Sequence, residues 1–163
     1  MSAAAARQPS PPAYRIGIGY DSHRLVPDRR LVLGGVEIPH GEGLAGHSDA
    51  DVLTHAVIEA LLGAGGVGDL GTLFPTDDEQ WRDADSIDML RVAIGQLSGR
   101  PVNVDATVIC ERPRLAPHRA EMERRLSDAL TAPVSVKATT NEGMGAIGRG
   151  EGIACVAVAL VET

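Results

Sequence analysis

Aromatic residues are almost missing from this chain. One Trp, two Tyr and one Phe make up 2% of 163 residues. The apolar share is still ordinary at 44%, so the core must be built from Ala, Val, Leu and Ile. Cysteine is equally scarce. Cys110 and Cys155 both fall in apolar, strand-like runs and read as buried free thiols rather than a disulfide. No apolar run approaches the roughly 18 residues of a membrane span, and no signal-peptide pattern is present. A soluble cytoplasmic protein with no membrane partner is expected. Basic residues are outnumbered, 15 against 22 acids, for a net charge of −7. General nucleic-acid binding, which needs a basic face, is thereby excluded. An acidic protein that handles phosphate needs cations to neutralise it.

Glycine, by contrast, is abundant at 19 residues, many in short G-x-G patterns that suit close approach by a ligand or a neighbouring strand. The length fits one domain over 14–163. Residues 1–13, with three prolines and no large apolar anchor, read as a disordered tail. Residues 14–20 read as a strand. Residues 31–39 form a hairpin around Gly34-Gly35, and 40–48 a loop. The segment 49–62 is an amphipathic helix with Leu53, Ala56, Val57, Ala60 and Leu61 as its apolar stripe, capped by Ser48 or Asp49. Asp51, His55 and Glu59 lie on its opposite face, so His55 either meets solvent or faces a site.

A long Gly- and Asp-rich loop covers 63–80. Further helices are expected at 84–98 and 114–130, and further strands at 102–110, 133–139 and 152–161. The last strand is apolar on both faces and must be covered twice, with a second subunit as the candidate second cover. The order of elements gives an α+β sandwich: a mixed sheet with helices packed on one face.

The run Gly17-Ile18-Gly19-Tyr20-Asp21-Ser22-His23-Arg24 carries the chemistry. Residues two apart on a strand share a face, so Asp21 and His23 aim a carboxylate oxygen and an imidazole nitrogen at one point. With a third ligand this is a catalytic zinc pattern. Taken alone, a D-x-H triplet is more often a solvent-facing strand end.

The motifs GYDSHR, GHSDADVLTHA, GDLGTLFP, ERPRLAPH, KATTNEG and GRGEGIAC occur in that order from residue 14 to 160. Together they resemble the 2-C-methyl-D-erythritol 2,4-cyclodiphosphate synthases of non-mevalonate isoprenoid biosynthesis. The resemblance implies a homotrimer with active sites at subunit boundaries. It also implies a lyase reaction, in which the 2-phosphate of a cytidine diphosphate ester of methylerythritol attacks the β-phosphorus and releases CMP. It places one zinc per subunit on Asp21, His23 and His55, and a second ion, Mg²⁺ or Mn²⁺, on Glu142. His47 and Thr140 become transition-state stabilisers. Asp21, Ser22, His23, His47 and Ser48 become substrate contacts beside the zinc, and Asp69, Leu70 and Gly71 hold the methylerythritol hydroxyls. Phe74, Pro75, Thr76, Asp77 and Asp78 continue that loop, although many relatives carry an acid where Thr76 stands.

Cys110, Glu111, Arg112, Pro113, Arg114, Leu115 and Ala116 match the rim of a cytosine pocket, where Pro113 also reads as a helix start. Thr139, Thr140, Asn141 and Glu142 match the diphosphate end. Arg149 and Ala146 match positions near the trimer axis, where Ala146 replaces a common aromatic. Glu59 is a candidate carboxylate to orient His55. Two rivals use the same residues: a zinc-dependent phosphohydrolase that activates water, and a non-enzymatic trimeric binding module.

Overall fold

The computed structural model describes residues 14–163. The expected disordered tail, 1–13, lies outside the described residues.

Strand β1 (Tyr14–Pro27) is twice the length expected. It pairs antiparallel with the last strand, β7 (Gly152–Glu162), from Tyr14 opposite Glu162 to Arg24 opposite Gly152. Its end pairs with β4 (Glu42–Leu44), a strand the loop reading of 40–48 missed. Strand β5 (Arg100–Ile109) runs antiparallel to β7 and parallel to β6 (Val134–Thr139). A parallel pair needs a crossover, supplied by helix α4 (Arg119–Leu130). The sheet order is β4-β1-β7-β5-β6, and β2 (Leu31–Leu33) with β3 (Val36–Ile38) forms the expected separate hairpin.

Helix α1 (Val52–Gly65) lies across the inner face of β1 and β7. It is more deeply buried than an amphipathic helix would be. Its apolar stripe is covered, and so are Asp51 and His55 on the opposite face, where His55 faces a cleft and not solvent. Each fully buried Leu, such as Leu53 or Leu61, contributes on the order of 2 kcal/mol. Asp51 caps the helix, not Ser48 or Asp49. Its carboxylate accepts from Thr54 N–H at 3.0 Å and also from the Gly34 and Gly35 N–H groups of the hairpin turn, at 2.9 and 2.7 Å. The cap is thus also the clasp of the hairpin, which local sequence could not reveal.

Two short helices, α2 (Leu70–Leu73) and a 3₁₀ turn at Glu79–Trp81, interrupt the expected loop. Helix α3 (Ser86–Ile94) is shorter than expected and packs on α1. Helix α4 starts at Arg119, so Pro113 is not a helix start; it follows a cis peptide in a turn. The one-turn α5 (Gly145–Gly148) precedes β7.

The helices cover one sheet face, as expected. On the other, Ile16 and Ile18 are 73% and 70% exposed, with Tyr20 and Val158 beside them. Both thiols are buried and free. Among the described residues no helix is long and apolar enough to cross a membrane.

Candidate metal centre and cleft

Close packing of α1 on β1 builds the site. Gly17 and Gly19 face the helix, and a Cβ at either would stand 1.9 Å from the Ala60 carbonyl oxygen or 2.0 Å from that of Ala56. Only glycine permits that approach. By strand alternation, Asp21 and His23 follow on the same face. His55, next to Ala56, is brought over them.

Three atoms converge. Asp21 Oδ2 lies 2.8 Å from His23 Nε2 and 3.0 Å from His55 Nδ1, and the two nitrogens are 3.3 Å apart. Among the described residues these three form the group able to hold a metal ion. The donor set, one carboxylate and two imidazoles with an open side toward a cleft, fits zinc with a vacant fourth position. The outer ring nitrogens are also held. His23 Nδ1 pairs with the Ala45 carbonyl at 2.8 Å, and His55 Nε2 meets Ser86 Oγ at 3.0 Å and Ser48 Oγ at 3.2 Å. Such partners set tautomer and ring direction.

Charge follows the same geometry. Burial opposes ionisation of Asp21, but its hydrogen bonds to His23 and His55 hold its carboxyl well below the usual range. Burial pulls His23 down, yet contact with Asp21 outweighs it and leaves the imidazole above its ordinary value.

Glu59 does not orient His55. Its Oε2 accepts from Leu70 N–H at 2.8 Å and so ties α1 to the start of α2. The two serines take the role expected of it. Of these, Ser86 carried no functional signal, because D-S-I-D reads as an ordinary helix start.

A cleft of about 110 Å³ adjoins these three residues. His47, Ser48, Leu70, Phe74 and Thr76 line it, with Trp81 and Met89, which the sequence did not mark. Trp81 packs edge-on against Phe74, with ring centroids 4.7 Å apart. His47 Nε2 is buried without a partner here, and a buried donor left unpaired calls for a ligand. Asp69 caps α2 through Thr72 N–H at 2.7 Å. The Thr72 hydroxyl and amide hold its exposed carboxyl below the ordinary value. Gly71, Pro75, Asp77 and Asp78 lie along the same loop, and Ser22 sits exposed between the two strand ligands.

The remaining expected residues gather elsewhere. Across the sheet, Asp21 is level with Cys155 and Val108, and Ile109 with Thr139. Three strand spacings put β6 about 14 Å from β1. Thr140, whose hydroxyl donates to Glu142 at 2.8 Å, and Asn141, whose N–H donates to Glu111 at 2.8 Å, stand at that far end with exposed Thr139. Cys110, Arg112, Pro113, Arg114, buried Leu115 and Ala116 form the adjoining turn. Arg112 and Arg149 share a groove of about 380 Å³ with Glu111, and Ala146 is exposed on α5. Within the chain these residues therefore do not line the cleft beside Asp21, His23 and His55.

Comparison with known proteins agrees with the six motifs. The YgbB family model matches residues 14–162. The 2-C-methyl-D-erythritol 2,4-cyclodiphosphate synthase of Salinibacter ruber is 55% identical over 155 residues, covering 91% of this chain and 99% of that one. The synthase of Symbiobacterium thermophilum is 57% identical over 152 residues, covering 90% and 97%. A solved synthase of the same name in a CDP-bound form superposes with a TM-score of 0.83 at 36% identity, over 91% of this chain and all of its own. The Plasmodium vivax synthase gives 0.73 at 33% identity, over 91% and 97%. The chain belongs to the YgbB family, that of the 2-C-methyl-D-erythritol 2,4-cyclodiphosphate synthases.

Proposed function

We propose that the protein converts 4-diphosphocytidyl-2-C-methyl-D-erythritol 2-phosphate to 2-C-methyl-D-erythritol 2,4-cyclodiphosphate and CMP, as a phosphorus–oxygen lyase of isoprenoid precursor synthesis. The observation that carries this is the convergence of Asp21, His23 and His55 beside the unpartnered Nε2 of His47, in a chain of this family. An oxygen of the 2-phosphate forms the new bond to the β-phosphorus, the bond from that phosphorus to CMP breaks, and an eight-membered ring closes. Nucleophile and electrophile both belong to the substrate, so no protein nucleophile is required. The barrier lies in phosphate repulsion and in folding the substrate back on itself, which positioning and fixed charge relieve.

Zinc on Asp21, His23 and His55, with Mg²⁺ or Mn²⁺ on Glu142, supplies positive charge that the acidic chain lacks. His47 donates from Nε2 to a phosphate oxygen, and Ser48 lies beside it. Asp69, exposed at the cap of α2, also accepts from a methylerythritol hydroxyl. Leu70 has already given its N–H to Glu59, so it contributes its side chain to the cleft wall. Phe74 and Trp81 close the cleft against water.

Thr140 and the cytosine rim act from a neighbouring copy, in a homotrimer built on the exposed face of Ile16, Ile18 and Val158. Two facts support this: that face is apolar and uncovered, and the strand leading to Thr140, β6, stands three strand spacings, about 14 Å, from β1.

Phosphorus NMR of the protein with Mg²⁺ and this substrate tests the reading. The expected result is CMP with two mutually coupled signals of a cyclic diphosphate. CMP with a linear product would overturn it in favour of hydrolysis, and an unchanged substrate would overturn it in favour of binding alone.

A further inference from the structure

His55 has a second ring nitrogen, and a residue on another helix decides what that nitrogen carries. Ser86 opens α3 and is fully buried, with its Oγ 3.0 Å from His55 Nε2. The same hydroxyl makes a close hydrogen bond to Asp49 Oδ1, and Ser86 N–H donates to Asp49 Oδ2 at 2.9 Å. Asp49 Oδ1 also accepts from Asp51 N–H at 3.1 Å. A hydroxyl has one proton, and a carboxylate has none to give. The proton of Ser86 therefore points to Asp49, and a lone pair of Oγ faces His55. His55 must then carry a hydrogen on Nε2, which leaves Nδ1, 3.0 Å from Asp21 Oδ2, as the ring nitrogen that faces the metal position. Ser48 Oγ, 3.2 Å from the same nitrogen, accepts from Ala50 N–H and can either donate or accept toward His55, so it does not decide.

Simple tethering of the two segments does not need this arrangement. Backbone bonds already do that, from Asp49 N–H to the Ala84 carbonyl at 3.1 Å and from Asp83 N–H to the His47 carbonyl at 2.9 Å. The Ser86–Asp49 pair adds direction: a chain of hydrogen bonds running from the imidazole outward to a carboxylate.

We propose that Ser86 and Asp49 are positioning residues that lock His55 in the Nε2–H tautomer and hold its Nδ1 toward the metal, through the ordered chain His55 Nε2–H to Ser86 Oγ–H to the Asp49 carboxylate. This rests on the zinc reading above. Neither residue touches substrate in that reading.

The test uses the full-length protein, stripped of metal and titrated with Zn²⁺ against a chromophoric chelator, then loaded with Co²⁺ for its ligand-field spectrum. Ser86→Ala and Asp49→Asn should each lower zinc affinity about 10- to 100-fold and alter the Co²⁺ bands. The double variant should lose no more than the weaker-binding single one, because the two act in series. An amide at 49 has one acceptor oxygen where the carboxylate has two, so it cannot serve Ser86 Oγ–H, Ser86 N–H and Asp51 N–H together; Asp49→Asn therefore weakens the chain without removing a buried group, and decides the matter even where Ser86→Ala does not fold. Parental zinc affinity and parental Co²⁺ bands in Asp49→Asn would overturn the relay while leaving the metal site intact. Zinc affinity that His55→Ala does not change would instead overturn the zinc reading, and the relay with it.

Discussion

Gly19 meets the backbone of Ala56 so closely that a Cβ on Gly19 would stand 2.0 Å from the Ala56 carbonyl oxygen. This contact sets the height of α1 above β1, and with it the distance between His55 and the strand ligands. Gly19→Ala must push the helix outward. It is expected to cost at least about 1–3 kcal/mol, the range for overpacked cores, and to weaken zinc binding as well. Urea unfolding and a zinc titration check the two effects. Lost stability with parental zinc affinity would show that the ligands tolerate a raised helix.

Asp51 should be among the most sensitive polar residues. Its carboxylate serves Gly34 N–H, Gly35 N–H, Thr54 N–H and the Thr54 hydroxyl. Asp51→Ala removes a helix cap, worth about 1 kcal/mol, and leaves hairpin N–H groups unpaired at about 1–3 kcal/mol each. A total loss of about 3 kcal/mol or more is expected in urea unfolding of the metal-free protein. A loss under about 1 kcal/mol would mean that water replaces the carboxylate at the turn.

His55→Ala removes one of the three converging donors and should abolish stoichiometric zinc binding and turnover. Assembly state, read by sedimentation, should not change, because His55 faces inward from α1. Turnover at the parental rate by the metal-stripped variant would refute the site assignment.

The thiols give a pH prediction. Burial, helped by Glu111, pushes Cys110 up to about 11 from an ordinary value of 9.0, and burial drives Cys155 higher still. At pH 8 Cys110 then carries roughly a hundredth of the thiolate of a free thiol, so a disulfide reagent should label neither cysteine until the protein unfolds. Linkage gives the sign. Above pH 9 the unfolded chain releases thiol protons that the folded chain keeps. This contribution to stability is complete below 9 and is lost as pH rises through about 11 at Cys110. Unfolding midpoints from pH 8 to 11 in the parent and Cys110→Ala check it; the variant should show the shallower alkaline decline.

Ile18→Asp puts a charge in the middle of the uncovered sheet face. Sedimentation should then find monomers, with the metal-free fold retained, since Ile18 makes no part of the inner core. A trimer that survives the change would move the interface elsewhere.

Much of this was legible in the chain, for identifiable reasons. Alternation along the strands and the apolar stripe of α1 report local geometry, and they indicate most of the strands, the main helix and the pairing of Asp21 with His23, while β4 and the second half of β1 stayed hidden. The cap of α1 was not legible. Asp51 wins over Ser48 and Asp49 because its carboxylate also clasps a turn 16 and 17 residues away. Glu59 looked like a partner of His55 from helical spacing, but the start of α2 lay within its reach and took it. Ser86 was invisible because 31 residues separate it from His55 and its own neighbourhood is an unexceptional helix start. Each of these three misses is a polar side chain whose partner is distant in sequence.

The pairing of Trp81 with Phe74 has a practical use. The chain holds one Trp and one Phe, and both stand in the wall of the cleft. Tryptophan emission from this protein therefore arises from a single position beside the site, so filling of the cleft by a ligand can be followed by intrinsic fluorescence without a label. The same scarcity of aromatic rings that leaves the core mostly aliphatic leaves Trp81 as the one tryptophan emitter.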